Sequence, residues 1–175
     1  MYKSVLGPKQ GILLELLLKH QPKTYIEVGC YQCVTLRLVQ DLADVYGIER
    51  CIGFDLFEAS EGDVTNDGVG LEYSPLDGPP VGYIDALNMG LEVYRGDSKD
   101  TLQTLGDLRC HEPVFAFVDG GHSFATCISD IRNIRACHPS AIMLIDDSDY
   151  PGVHRAIIES GYHYKMLPYY LTLMD

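Results

Sequence analysis

The strongest constraint on this chain is an alternation. Short apolar runs, each closed by a polar residue or a glycine, are separated by stretches of helical periodicity. The runs are Thr24 to Val28, Cys51 to Phe54, Leu91 to Tyr94, Val114 to Val118 and Ala141 to Ile145. Their length suits strands, and a run apolar throughout, like Val114 to Val118, suits a strand covered on both faces. Between them, Val34 to Tyr46 carries Leu38, Leu42 and Val45 at spacings of 4 and 3. Phe124 to Cys137 aligns Phe124, Ile128, Ile131 and Ile134 on one helical face. Gln10 to His20 reads as a first helix, Ile84 to Met89 as a helical turn, and Val153 to Ser160 as the last helix. Ser98 to Leu105 reads as a short helix with Ser98 as its N-cap. Strands alternating with helices give a mostly parallel sheet with helices on both faces. Tyr162 to Leu167 and Tyr170 to Met174 are joined by a link around Pro168 that is too short for a crossover helix. They should close the sheet as an antiparallel hairpin. The expectation is one α/β domain over residues 1–175, built on a seven-stranded sheet.

One stretch breaks the alternation. Glu58 to Gly82 is dense in glycine and proline, which marks a long loop and a candidate lid. The net charge of −12, from 25 acidic against 13 basic residues, disfavours nucleic acid and anionic membrane surfaces as partners. The longest apolar patch, Ile12 to Leu18, is broken by Glu15 and far short of the roughly 20 residues a membrane helix needs. Met1-Tyr2-Lys3-Ser4 leads into no cleavable signal pattern, so a cytoplasmic location is expected. The cysteines, Cys30, Cys33, Cys51, Cys110, Cys127 and Cys137, are then expected as reduced thiols. Cys30-x-x-Cys33 has no second Cys or His pair to complete a zinc site. It stands near the start of a helix after a strand, as redox pairs do, although packing or a loop role is the plainer reading.

In such a sheet a ligand sits beyond the carboxyl ends of the strands. Polar residues crowd those ends here: Glu27 and Gly29, Asp55, Asp97, Asp119 and His122, Asp146 and Asp147. Gly29 lets a ligand approach the backbone, and the amides of the next helix point to the same spot. Asp55 is placed to accept ribose hydroxyls, and Asp97-Ser98 to address the amine of a base. Each acid alone also fits a helix cap or a turn; their convergence singles them out. A dinucleotide loop would need glycines where Tyr31 and Val34 stand, which argues against a nicotinamide oxidoreductase. Asp119, Asp146 and Asp147, on adjacent strand ends, repel unless protons or a cation intervene. Mg²⁺ or another hard divalent ion resolves this, with His122 beside it. The plainer alternatives are a turn at Asp119-Gly120-Gly121, a loop start at Asp147 and a helix cap at His122.

Glu27-Val28-Gly29 after the first strand resembles the class I S-adenosylmethionine-dependent methyltransferases. Cys33 stands where their motif has a glycine. Asp119 to His122, with Asp146-Asp147 after the fifth strand, is similar to the metal-dependent small-molecule and sugar O-methyltransferases, the macrolide-sugar group above all. The resemblance implies a Rossmann-like, doubly wound fold. It implies S-adenosylmethionine as cofactor, held by Glu27, Gly29, Cys30, Tyr31, Asp55, Leu56, Asp97, Ser98 and Asp119. It implies a divalent ion on Asp119, Asp146 and Asp147. Asp119 and His122 would be the catalytic residues, with His122 as base toward a hydroxyl on a small molecule or sugar. The competing readings are a cofactor-binding module without catalysis and a hydroxylase-like relative on the same scaffold. His20, His111 and His138 are expected to be solvated, while His154 and Arg155 lie near the cleft. The apolar first helix and Tyr162, Tyr164, Tyr169 and Tyr170 suit packing within the chain or a homodimer contact.

Overall fold

In the computed structural model, which describes residues 7–57 and 81–175, two of the apolar runs become the two central strands. These are β1 (Thr24–Val28) and β4 (Val114–Val118), and every residue of both is buried. Successive side chains of a strand point to opposite faces, so such a run needs cover on both sides. One cover is α1 (Pro8–His20), α2 (Val34–Asp41) and α4 (Tyr83–Asn88), whose Leu13, Leu17, Leu36 and Ala86 meet Tyr25, Phe115 and Phe117. The other is α6 (Phe124–Cys137) and α7 (Pro151–Ser160), whose Ile131, Ile134 and Ile157 meet Ile26, Ala116 and Met143. Short elements fill the connections: α3 (Ala43–Tyr46), and α5 (Ser98–Thr101) with the 3-10 turn that follows it.

The remaining strands are β2 (Arg50–Asp55), β3 (Glu92–Arg95), β5 (Ile142–Ile145), β6 (Tyr164–Met166) and β7 (Thr172–Met174). They complete one seven-stranded sheet in the order β3-β2-β1-β4-β5-β7-β6. β1 to β5 run parallel; β7 is antiparallel to β5 and β6 antiparallel to β7. The strand order reverses between β1 and β4, which opens a crevice beyond their carboxyl ends. Register puts the site residues at one level: Val28 faces Phe54 and Val118, and Val118 faces Ile145. Gly29, Asp55, Asp119 and Asp146 therefore leave the sheet side by side.

Local chemistry sets the helix ends near that crevice. Pro151 opens α7, where a missing N–H costs nothing. Ser123 caps α6, its Oγ accepting from the Thr126 amide at 3.1 Å. Three sequence expectations differ in detail. The helix over 34–46 breaks at Leu42 into α2 and α3. Asp97, not Ser98, caps α5, because its carboxylate accepts from the Lys99 amide at 2.9 Å. The closing strands are shorter than their apolar runs. Of the candidate lid 58–82, residues 58–80 lie outside the described residues. Its end is seen: the Val81 amide donates to the Tyr31 carbonyl at 3.1 Å, and Gly82 precedes α4. All six cysteines are free. No helix among the described residues is long and apolar enough to cross a membrane.

Candidate active site

One side of the crevice begins at Gly29. Its φ is +84°, and a Cβ there would stand 2.1 Å from the Asp119 carbonyl oxygen. Only glycine fits, and its absent side chain lets β1 and β4 meet at the crevice floor. The Gly29 amide donates to the Phe54 carbonyl at 2.9 Å, and the Asp119 amide to the Val28 carbonyl at 2.8 Å, tying all three strand ends together. Beyond Gly29 the backbone stays left-handed at Tyr31 (φ +47°) and Cys33 (φ +56°). Asp55 holds this curve. Its Oδ2 accepts from the amides of Cys30 at 2.6 Å and Tyr31 at 2.9 Å, and its Oδ1 from Phe57 at 2.7 Å. A carboxylate has about four acceptor sites, so Asp55 keeps about one for a ligand. Leu56, beside it, is 43% exposed.

Glu27 is almost fully buried and accepts from the Tyr25 hydroxyl at 2.7 Å. Burial pushes its pKa up to about 8. A cationic group bound beside it would lower that value again. Cys30 and Cys33 are both buried, which matches a packing role. Asp97 is engaged as the α5 cap and by the Lys99 ammonium at 3.1 Å. Ser98, next in the chain, lies beside Asp130, a residue the sequence did not flag. Asp130 is fully buried and neither of its oxygens has a hydrogen-bond partner of good geometry. Burial raises its pKa to about 7.

On the other side of the crevice, Asp119, His122 and Asp147 come together. One donor atom from each lies within 4.8 Å of the others. The His122 Nε2 stands 3.1 Å from Asp147 Oδ2. The His122 ring stacks on Tyr150 at 4.4 Å between centroids, and its Nδ1 is buried with no partner. Asp147 reaches the cluster through a left-handed backbone, φ +50°. Asp146 is placed differently. Its Oδ1 accepts from Lys9 Nζ at 2.6 Å and from the Asp147 amide at 2.6 Å. Lys9 Nζ also reaches Asp147 Oδ1 at 3.0 Å.

The electrostatics follow from this crowding. Desolvation against the strand ends, then the facing Asp146 and Asp147 carboxylates, push the Asp119 carboxyl above the usual range, although its residue still meets solvent. Asp147 goes the other way: its bond to His122, and Lys9 beside it, hold it at about 2. Three carboxylates, one of them destabilised as an anion, with an imidazole donor within reach, suit a hard divalent ion. A small cavity opens between α1 and these strand ends, lined by Lys9, Gln10, Thr35, Phe117, Asp119 and Asp146.

Lys9 carried no signal in the sequence, because its partners are 137 and 138 positions away. The remaining expectations divide. His111 is exposed, but His138 is buried, with Nδ1 2.9 Å from Glu112 and Nε2 unpartnered, so it is not solvated. Arg155 lies over the Phe124 ring at 4.2 Å and pairs with Glu159, facing solvent on α7. Tyr162, Tyr164, Tyr169 and Tyr170 are all exposed, with Arg135 lying over the Tyr162 ring at 4.9 Å.

No protein-family profile and no curated protein matches the sequence. Solved structures do share its fold. CalS11, a calicheamicin methyltransferase, superposes with a TM-score of 0.71 at 20% identity, over 95% of this chain and 77% of its own. CmcI with Mg and SAM gives 0.57 at 19% identity, over 97% and 72%. The MycE methyltransferase of mycinamycin biosynthesis, with Mg, SAH and mycinamycin VI, gives 0.59 at 11% identity, over 98% and 50%.

Proposed function

We propose that this chain is an S-adenosylmethionine-dependent methyltransferase that methylates a hydroxyl oxygen on a small molecule or sugar, assisted by a divalent ion such as Mg²⁺. The observation that carries the reading is the meeting of the Asp119, His122 and Asp147 donors beside the Gly29 loop at the crevice. The shared fold with CalS11, CmcI and MycE supports it.

The cofactor supplies an electrophilic methyl group on a sulfonium. Gly29, Cys30 and Tyr31 would form the loop that holds it. Glu27 would offer a buried carboxylate to its amino group. Asp55 and Leu56 would take the ribose and the adenine border, with Asp97 and Ser98 toward the adenine edge. An ion held by Asp119 and Asp147, with Asp146 or His122, would lower the pKa of an acceptor hydroxyl. His122 is the base of this proposal: its Nε2 stands 3.1 Å from Asp147 Oδ2 and would take the hydroxyl proton once the ion draws that carboxylate away. When bound, the cofactor would give its methyl carbon to the acceptor oxygen as the carbon–sulfur bond breaks, the electron pair staying on sulfur to leave S-adenosylhomocysteine. Holding both reactants in line supplies much of the acceleration.

A second role for His122 is favoured by its geometry. One ring nitrogen of His122 belongs to the converging donor group, which suits the residue to serve the ion as ligand instead of the hydroxyl as base. His122→Ala separates the two. Calorimetric titration should find S-adenosylmethionine binding intact, and turnover on hydroxylated acceptors should fall about 10²- to 10⁴-fold. Unchanged Mn²⁺ affinity assigns the base role; weakened affinity assigns the ligand role. Failure of the parent protein to bind S-adenosylmethionine overturns the proposal. Full turnover in excess chelator removes the ion from it.

A further inference from the structure

The acidic cluster already contains a cation of the chain's own. Lys9, in the first turn of α1, places its ammonium 2.6 Å from Asp146 and 3.0 Å from Asp147. Its side chain is only about one-third exposed, at 34%. This contact sorts the carboxylates. Asp146 Oδ1 is engaged by Lys9 and by the Asp147 amide. The donors left to converge are Asp119, His122 and Asp147, without Asp146. Asp147 is shared, with Oδ1 toward Lys9 and Oδ2 toward His122. A divalent ion on Asp147 would face an ammonium across one carboxylate, and like charges so close repel.

We propose that Lys9 is a tethered counter-cation that competes with the divalent ion for the Asp146–Asp147 pair, so that ion binding frees Asp146 and loosens the first turn of α1. The inference rests on the divalent-ion reading above. Its consequence is spatial. Lys9 and Gln10 line the cavity that also contains Asp119. Withdrawing Lys9 widens that cavity beside the reacting centre, so ion loading and acceptor access become one event. In the ion-free protein Lys9 neutralises part of the cluster and holds α1 against the strand ends.

The test uses the full chain and Mn²⁺, followed by electron paramagnetic resonance. Lys9→Gln should bind Mn²⁺ about tenfold more tightly than the parent or better. Lys19→Gln, which removes the same charge from the far end of α1, should bind as the parent does. In the parent, adding Mg²⁺ should speed amide hydrogen exchange in the first turns of α1, a readout that stands even if Lys9→Gln folds poorly. Equal or weaker Mn²⁺ binding by a folded Lys9→Gln overturns the competition and leaves the ion site standing. Unchanged exchange in α1 overturns the release. Absence of Mn²⁺ binding in every form removes the ion reading, and the competition with it.

Discussion

At the scale of single residues, buried acids are the points of stored electrostatic cost. Glu27 shows the sign clearly. Burial raises its pKa from 4.5 to about 8, so the folded chain holds a proton there that the unfolded chain has released. Where the folded state binds more protons, stability falls as pH rises. The Glu27 contribution is therefore favourable below pH 4.5 and is lost as pH climbs from about 4.5 to 8. Glu27→Gln keeps the shape and can keep a bond to Tyr25, so its melting temperature should decline less over that window. Thermal unfolding at a series of pH values measures this, and a slope equal to the parent's would remove Glu27 as the cause. Asp130, raised by burial to about 7, adds a second contribution of the same sign. Neither burial was legible in the sequence. Glu27 was visible as an acid at a strand end, but the Tyr25 hydroxyl above it depends on which face of β1 each residue takes.

At the scale of elements, the loop that carries His122 is positioned by a helix that contributes no donor to the candidate site. The α7 backbone at Gly152 presses on the loop before α6. A Cβ there would stand 2.4 Å from the His122 carbonyl oxygen and 2.8 Å from the Phe124 amide. These are backbone atoms, so a methyl group must move the loop itself. Gly152→Ala should destabilise by about 1–3 kcal/mol, as overpacking does. It should also cut turnover by up to about 10²-fold, since small displacements at a reacting centre are costly. Thermal unfolding and a methyl-transfer assay check both, and a fully active Gly152→Ala would show that the loop has slack. Elements of this kind were largely readable. β1, β4 and α6 fall on the bounds expected of them, because short, mostly apolar runs and the helical spacing of Phe124, Ile128, Ile131 and Ile134 are local signals. The break at Leu42 has no local marker, no glycine or proline standing there. The α5 cap was placed one residue late because Asp97 and Ser98 are both good caps, and the choice depends on backbone direction after β3. Of the site, the strand-end acids and His122 could be named from sequence. Lys9 could not, because the pattern of α1 says which face is buried and nothing about where its first turn points.

At the scale of the whole molecule, the sheet gathers its acids at one rim. The chain carries a net charge of −12, and Asp55, Asp119, Asp146 and Asp147 all emerge at the crevice. That field draws cations toward the cleft and turns polyanions away. The same sheet ends very differently at its outer border. Among the described residues β6 has a neighbour on one side only, and Tyr164, Lys165 and Met166 are all exposed. Such a border offers its free N–H and C=O groups to any extended segment that drifts by, the usual starting point for aggregation. Between an aromatic and a thioether, Lys165 acts as a gatekeeper, a charge that any stacking strand would have to bury. Lys165→Val should leave the melting temperature nearly unchanged yet produce light-scattering particles at concentrations where the parent stays clear. A variant that remains clear would mean that the negative charge of the whole protein already keeps the molecules apart. If the particles form, solubility is governed at the border of the sheet farthest from β3, by a three-residue strand remote from the candidate site.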